Sequence, residues 1–135
     1  MAPRPTPRIS VVNDNSDFLE LMSAILDEDA GYEVTLFNGE KTSIDELVDS
    51  RPDLIIVDLI LGGASGWELV VLSRADRRLA GVPIIICSAD VTALRDRDEE
   101  LERIGNLHVL AKPFGIDEVT ELVDRLVGVG AGATG

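Results

Sequence analysis

Short apolar runs alternate with helical patterns along most of the chain. Runs such as Leu54–Val57 are apolar at every position, which is typical of strands whose two faces are both covered. Runs of this kind, together with one segment rich in β-forming residues, predict five strands: Ile9–Val12, Glu33–Phe37, Leu54–Val57, Pro83–Cys87 and Val109–Ala111.

Apolar residues spaced three and four positions apart predict five helices between and after these strands. The first helix is expected to take Ser16 as its N-cap and to end at Gly31. Ser43 and Glu46 form a capping box, and Arg51–Pro52 ends the helix that it opens. The other three helices are predicted over Trp67–Arg77, over Asp90–Arg103 and from Ile116 onward.

The helical residues expected to face the core share the three-and-four spacing. They are Phe18, Leu21, Met22, Ile25, Leu26, Leu69, Val70, Leu72, Val91, Leu94, Leu101, Ile104, Ile116, Val119, Leu122, Val123 and Leu126.

Strands that alternate with helices predict an α/β protein with a parallel sheet, right-handed crossovers and helices on both faces, that is, a three-layer sandwich. We expect one domain over residues 9–127. It lies between a Pro-rich tail, residues 1–8, and a Gly/Ala-rich tail, residues 128–135, both expected to be mobile.

The formal net charge of −13 disfavours direct binding to nucleic acid, because the phosphate backbone would repel such a surface. The charge fits a divalent cation, a basic protein partner, or simply a soluble surface. The single cysteine, Cys87, cannot form an internal disulfide and fits a reducing cytoplasm. No apolar run is long enough to span a bilayer, and residues 1–8 do not form a secretory signal.

Polar side chains directly follow four of the predicted strands. In open parallel sheets, ligands bind beyond the carboxyl ends of the strands, so these side chains are the candidates for chemistry. They supply two carboxylates, an amide, a hydroxyl and an ammonium: Asn13, Asp14, Asp58, Ser88 and Lys112.

Such a set fits phosphoryl chemistry. Two carboxylates about 4 Å apart repel each other by roughly 4 kcal/mol at an effective dielectric constant near 20. Lys112 and a Mg²⁺ ion would offset that repulsion, and an aspartate can act as nucleophile and become an aspartyl phosphate. Each residue taken alone has a simpler explanation: the acids, Asn13 and Ser88 could be helix caps or turn formers, and Lys112 could be a solvated loop residue. The coincidence of all five at strand ends favours the functional interpretation.

These residues resemble the receiver domain of two-component response regulators over Ile9–Val127. The matching pieces are Val11–Asn15, Asp58 with Gly66 eight residues later, Cys87–Ala89 and Lys112–Phe114. The resemblance implies a flavodoxin-like, doubly wound five-stranded parallel sheet with strand order 2-1-3-4-5. It also implies a histidine kinase or phosphotransfer protein as phosphoryl donor, a downstream protein target or output domain, and no membrane partner.

The resemblance also implies a role for each residue. Asp58 would be the phosphoacceptor. Asp14, Asn13 and the backbone carbonyl of Ile60 match metal-binding positions, which together with Asp58 would hold Mg²⁺. Ser88 matches the residue whose hydroxyl contacts the phosphoryl group in the family, and Lys112 matches the lysine that does so. The helix face around Arg95–Arg103 is a candidate surface for a homodimer or a partner.

Among the departures from the family pattern, two concern the metal site and the switch residue. Asn13 stands where the family usually has an acidic residue, so we predict weaker Mg²⁺ binding than an aspartate would give. Val109 occupies the position three before Lys112, where the family usually has an aromatic residue that turns inward on activation. His108 is a poor substitute, because neighbouring strand residues point to opposite faces.

Three other functions compete with a phosphoacceptor. The two departures are compatible with a receiver-like interaction module that no longer uses phosphorylation. A hydrolase with an aspartate nucleophile is disfavoured, because that nucleophile would lie on the first strand and not the third. Flavin binding is disfavoured because no phosphate-cradling loop follows the first strand.

Overall fold

The computed structural model describes residues 6–13, 15–29, 31–38, 43–58, 60–61, 64–88, 103, 106–111 and 115–127. Seven strands are described: β1 Arg8–Asn13, β2 Glu33–Asn38, β3 Leu54–Asp58, β4 Ile60–Leu61, β5 Ala64–Ser65, β6 Ile84–Ser88 and β7 Leu107–Ala111. The α-helices are α1 Ser16–Ser23, α2 Ile44–Asp49, α3 Gly66–Ala75 and α4 Ile116–Val127, with a π-helical segment, Ala24–Asp29, after α1.

The five long strands form one parallel sheet in the order β2-β1-β3-β6-β7. Counted along the chain, these strands have the order 2-1-3-4-5, which confirms the predicted doubly wound topology. The strand pair β4–β5 is an antiparallel hairpin that the apolar pattern did not predict.

Alternate residues of the central strands face opposite layers, so the sheet carries a core on each side. On one side, residues such as Ile56 and Ile85 pack with Met22 of α1 and Val119 of α4. On the other side, residues that include Ile55 and Ile86 pack with residues of α2 and α3. This two-sided burial is the reason why β3 and β6 are apolar at every position before their last residue.

Local signals set most of the element boundaries. Ser43 caps α2, and its hydroxyl accepts a hydrogen bond from the amide of Glu46, which confirms the first of the two bonds of the predicted capping box. Gly31 adopts the left-handed conformation (φ 82°) that was predicted for the residue ending the first helix. The predicted N-cap Ser16 is wrong: Asn15 caps α1, because its side chain accepts hydrogen bonds from the amides of Asp17 and Phe18.

Three predicted core residues are instead exposed. Leu21, Leu72 and Ile116 expose 48%, 47% and 56% of their surface. Each belongs to a helix that turns another part of its apolar stripe toward the sheet: Met22 of α1, Val70 of α3 and Val119 of α4 are fully buried. Helix α3 also begins at Gly66 and ends at Ala75, two residues before the predicted end at Arg77.

The predicted helix over Asp90–Arg103 lies outside the described residues except for Arg103, and so do residues 128–135. Among the helices that the structure describes, none is both long and apolar enough to cross a membrane.

Candidate functional site

The carboxyl ends of the central strands meet at one edge of the sheet. Strand β1 ends at Asn13, β3 at Asp58 and β6 at Ser88. The register pairs Val12 with Val57 in the parallel β1–β3 ladder, so Asn13 and Asp58 are the next residues along these adjacent strands. The fold therefore brings together two of the polar residues that the sequence analysis selected, although 45 positions separate them in the chain.

Asp58 is the buried acid of this edge. Its exposed fraction is 5%, so the carboxylate is nearly as buried as the apolar residues that precede it in β3. The side-chain amide of Asn13 donates a hydrogen bond to its Oδ2 atom over 3.1 Å. A buried carboxylate needs such partners, because transfer of a charge out of water is costly unless hydrogen bonds or opposite charges compensate for it.

Asn13 is itself 1% exposed and is held at both ends of its side chain. Its Oδ1 atom accepts a hydrogen bond of 2.8 Å from the backbone amide of Asn15, while its Nδ2 group donates to Asp58. The opposite assignment of the amide would place donor against donor at Asn15 and oxygen against carboxylate at Asp58. Without a cation between Asn13 and Asp58, this orientation is therefore the one that satisfies both partners.

A short hairpin follows Asp58 directly. Ile60 and Leu61 of β4 pair with Ser65 and Ala64 of β5. This pairing fixes the course of the backbone two residues beyond Asp58, where the carbonyl of Ile60 was expected to contribute to a metal site. The backbone of Ile60 therefore belongs to a regular element that starts beside the acid.

Several of the predicted site residues lie outside the part of the chain that the structure describes. Asp14 and Lys112 belong to this group, and of Ser88 only the backbone is described. Strand β7 ends at Ala111, and its register pairs Ala111 with Ser88. Lys112 thus follows the strand that runs beside the end of β6, and its contact with the phosphoryl group stays a prediction.

The donor chemistry at this edge fits a hard cation in part. Asp58 offers carboxylate oxygens, which are ligands that Mg²⁺ prefers. Asn13 presents amide hydrogens, not an oxygen, to Asp58, so in this orientation it does not fit as a ligand to an ion bound there. Among the described residues, no group of three His, Cys, Asp or Glu side chains is arranged to hold a metal ion.

His108 lies on β7, away from this edge. Its strand position pairs it with Ile85, whose side chain belongs to the core under α1 and α4. Its Nε2 atom is buried and has no hydrogen-bond partner within the described residues. Val109 is 42% exposed. The two neighbours therefore face opposite ways, as the strand pattern predicted.

Burial of His108 should make stability depend on pH. Burial, and secondarily the nearby charge of Arg125, lower the pKa of His108 from its ordinary value of 6.5. The unfolded chain then binds more protons than the folded chain below about pH 7, so this residue contributes stability that is lost as the pH falls. We expect His108→Gln to show a smaller drop in Tm between pH 7 and pH 5 than the wild type.

His108 is the only histidine of the chain, so the other side chains that titrate nearby are carboxylates with lower ordinary pKa values. Parallel thermal unfolding curves at five pH values would measure the difference. An equal drop in both proteins would contradict the assignment of this pH dependence to His108.

The family model described as "Response regulator receiver domain" matches residues 9–124. Among curated proteins, the chain is 32% identical over 123 residues to the phosphate regulon transcriptional regulatory protein PhoB of Pseudomonas aeruginosa, covering 90% of this chain and 50% of PhoB. The chain thus spans about half the length of this relative. The match lies within one part of a longer protein.

Solved structures share the fold. The chemotaxis protein CheY4 of Vibrio cholerae superimposes with a TM-score of 0.80 at 23% identity, covering 91% of this chain and all of CheY4. The receiver domain of the sensor histidine kinase PA1611 of Pseudomonas aeruginosa has a TM-score of 0.71 at 30% identity, covering 92% and 99% of the two chains. In that structure, a magnesium ion is coordinated in the active-site cleft.

The parallel sheet in the order 2-1-3-4-5, the buried acid at the end of its central strand and the family match over residues 9–124 agree with one another. This chain belongs to the response regulator receiver domain family of two-component systems.

Proposed function

We propose that this chain accepts a phosphoryl group on Asp58 from the phosphohistidine of a histidine kinase or a phosphotransfer protein. The observation that carries the proposal is a carboxylate, 5% exposed, at the carboxyl end of the central strand in a member of the receiver family. A buried acid at this position gains little for stability, whereas a nucleophile beside polar neighbours is well placed for acyl phosphate chemistry.

The reaction transfers the phosphoryl group between two side chains. A carboxylate oxygen of Asp58 forms a bond to phosphorus while the bond from phosphorus to the histidine nitrogen breaks. The electron pair of that bond stays on the imidazole, which recovers a proton. No external substrate is turned over, so the domain is a phosphoacceptor and not an enzyme in the ordinary sense.

Other residues of the same edge would serve this transfer. Asp14, Asp58 and the carbonyl of Ile60 would hold Mg²⁺, and Asn13 would join them only if its side chain turned over. When bound, the ion supplies positive charge that offsets the charge of the phosphoryl oxygens. Ser88 would donate a hydrogen bond to one of those oxygens, and Lys112 would pair with another.

The phosphorylated domain would signal through protein contacts in the cytoplasm. The net charge of −13 supports a protein partner or an attached output domain over direct contact with nucleic acid. We extend the proposal to one receiver domain over residues 9–127, with residues 1–8 and 128–135 as flanking tails.

A second function is a receiver-like interaction module that works without phosphorylation. Two observations favour it: the amide of Asn13 already occupies Oδ2 of Asp58, and the exposed Val109 stands where an aromatic switch residue would be. Both features affect switching, and neither removes the acceptor carboxylate. The phosphoacceptor therefore remains the better-supported function.

Incubation of the protein with acetyl phosphate and Mg²⁺, followed by mass spectrometry of the intact chain, distinguishes these functions. We expect a gain of about 80 Da, the mass of one phosphoryl group, that disappears when EDTA replaces Mg²⁺. No gain would favour the interaction module. Steady release of phosphate from an added phosphate ester would indicate an enzyme and contradict the proposal.

A further inference from the structure

A line of hydrogen bonds connects the start of helix α1 to Asp58. The amides of Asp17 and Phe18 donate to Oδ1 of Asn15 over 2.9 and 3.2 Å. The backbone amide of Asn15 donates to Oδ1 of Asn13 over 2.8 Å, and Nδ2 of Asn13 donates to Oδ2 of Asp58 over 3.1 Å. The last two bonds share the side-chain amide of Asn13, which accepts at Oδ1 and donates from Nδ2, so the bond from Asn15 polarises that amide and strengthens its bond to Asp58.

The last bond places a donor where the family usually has an acid. An acidic residue at position 13 would repel Asp58 and would attract a cation to the space between them. The amide of Asn13 does the reverse, because it satisfies the carboxylate of Asp58 and turns the positive ends of its N–H dipoles toward that space. A cation that approaches Oδ2 from this side meets hydrogens and not an oxygen.

If Asn13 were to bind a cation through its oxygen, two hydrogen bonds of its side chain would break. To offer its oxygen to a cation, the side chain has to rotate, which removes both the bond to Asp58 and the bond from Asn15. Because Asn13 is 1% exposed, water does not readily replace these partners. The resting arrangement therefore opposes occupation of the cation site beside Asp58.

We propose that Asn13 is a positioning residue that acts as an amide latch: it holds the Asp58 carboxylate in the cation-free protein and must release Oδ2 before Mg²⁺ binds. This inference rests on the proposed function, since the latch regulates the same acceptor. It implies that the cation concentration at which the domain becomes competent for phosphorylation is set in part by the strength of one hydrogen bond.

Alanine at position 13 distinguishes a latch from a ligand, because it can neither hold Asp58 nor coordinate an ion. For a latch, calorimetric titration with MgCl₂ should give a Kd about ten- to a hundredfold lower for Asn13→Ala than for the wild type, the range expected from loss of a hydrogen bond to a charged group. For a ligand, the Kd should rise. Asn13→Asp should also tighten binding through its added charge.

Asn38→Ala is the matched control. Asn38 ends β2 and is the register partner of Asn13, on the side of β1 away from β3. The substitution therefore removes an amide side chain from the same edge of the sheet, but one strand farther from Asp58. Its Kd for Mg²⁺ should equal that of the wild type. Thermal unfolding of each variant checks that the fold is retained.

The contact can also be tested in protein without Mg²⁺. In ¹H–¹⁵N spectra, the side-chain NH₂ signals that vanish in Asn13→Ala belong to the latch, and they should shift in Asp58→Ala and again when Mg²⁺ is added to the wild type. The latch would be overturned if the Kd of Asn13→Ala for Mg²⁺ were unchanged or higher, or if the NH₂ signals did not shift in Asp58→Ala. Either result would count against the latch even if acetyl phosphate labels the protein. A latch confirmed by these signals in a protein that gains no mass would instead contradict the proposed function.

Discussion

Replacement of Asp58 by alanine is expected to abolish the gain of about 80 Da from acetyl phosphate and Mg²⁺. The chain has 25 acidic residues, and all of them carry the same kind of carboxyl group. Asp58 differs from an exposed acid because the sheet buries it to 5% exposure and gives it the Asn13 amide as a fixed neighbour. A nucleophile held in one orientation reacts far more readily than one that moves in solvent.

Asp53→Ala is the control for this result. Asp53 lies five positions earlier, at the opposite end of the same strand, where it accepts a hydrogen bond from the backbone amide of Arg8. It is exposed, so its loss should leave the mass gain unchanged. If Asp58→Ala still gained the mass, a different carboxylate, with Asp14 the first to examine, would be the acceptor.

Replacement of Arg74 by methionine is expected to lower the free energy of unfolding by about 2 to 4 kcal/mol. The guanidinium of Arg74 donates to the backbone carbonyls of Leu79, Ala80, Val82 and Asn106. It thereby joins the end of α3, the loop before β6 and the residue before β7. Each of these bonds contributes roughly 1 kcal/mol, and some carbonyls regain water when the arginine is lost.

Arg78→Met is the matched control for Arg74→Met. Arg78 belongs to the same segment but pairs with Asp76 and Asp45 at the surface, where solvent screens the charges. The change in the free energy of unfolding caused by Arg78→Met should be no larger than the error of a urea unfolding curve. If the two substitutions lowered the free energy of unfolding equally, the four hydrogen bonds from Arg74 to backbone carbonyls would not be the source of the stability lost in Arg74→Met.

The sequence predicted the architecture well because the relevant signals are local. Buried parallel strands must be apolar on both faces, so Leu54–Val57 stands out without any knowledge of its neighbours. Capping chemistry at Ser43 and the left-handed glycine at position 31 are equally local. The N-cap of α1 was misplaced by one position, because Asn15 and Ser16 are both good capping residues and only geometry chooses between them.

The helix faces were harder to predict. Leu21, Leu72 and Ile116 fit the apolar spacing as well as Met22 or Val119 does, yet they are exposed. Spacing defines a stripe on a helix but does not define how wide a strip the sheet will cover. That width depends on the packing of each helix against the strands below it, which is a tertiary property.

The candidate site divides in the same way. The residue types at the strand ends indicated two acids, Asp14 and Asp58, at one edge of the sheet, because parallel strands end together, and the resemblance to the receiver family singled out Asp58. The direction of the Asn13 amide could not be predicted from sequence. It depends on the backbone amide of Asn15 and the carboxylate of Asp58 reaching the same side chain, and the second lies on another strand.

By itself, the sequence determined the class of fold and the order along the chain of the five long strands and the four described α-helices, since hydrophobic period and residue type express these directly. Only the tertiary structure decided that Asn13 faces Asp58 as a hydrogen-bond donor. This hydrogen bond joins residues 45 positions apart and depends on the register of the sheet, and no local pattern encodes which end of an amide will meet the acid.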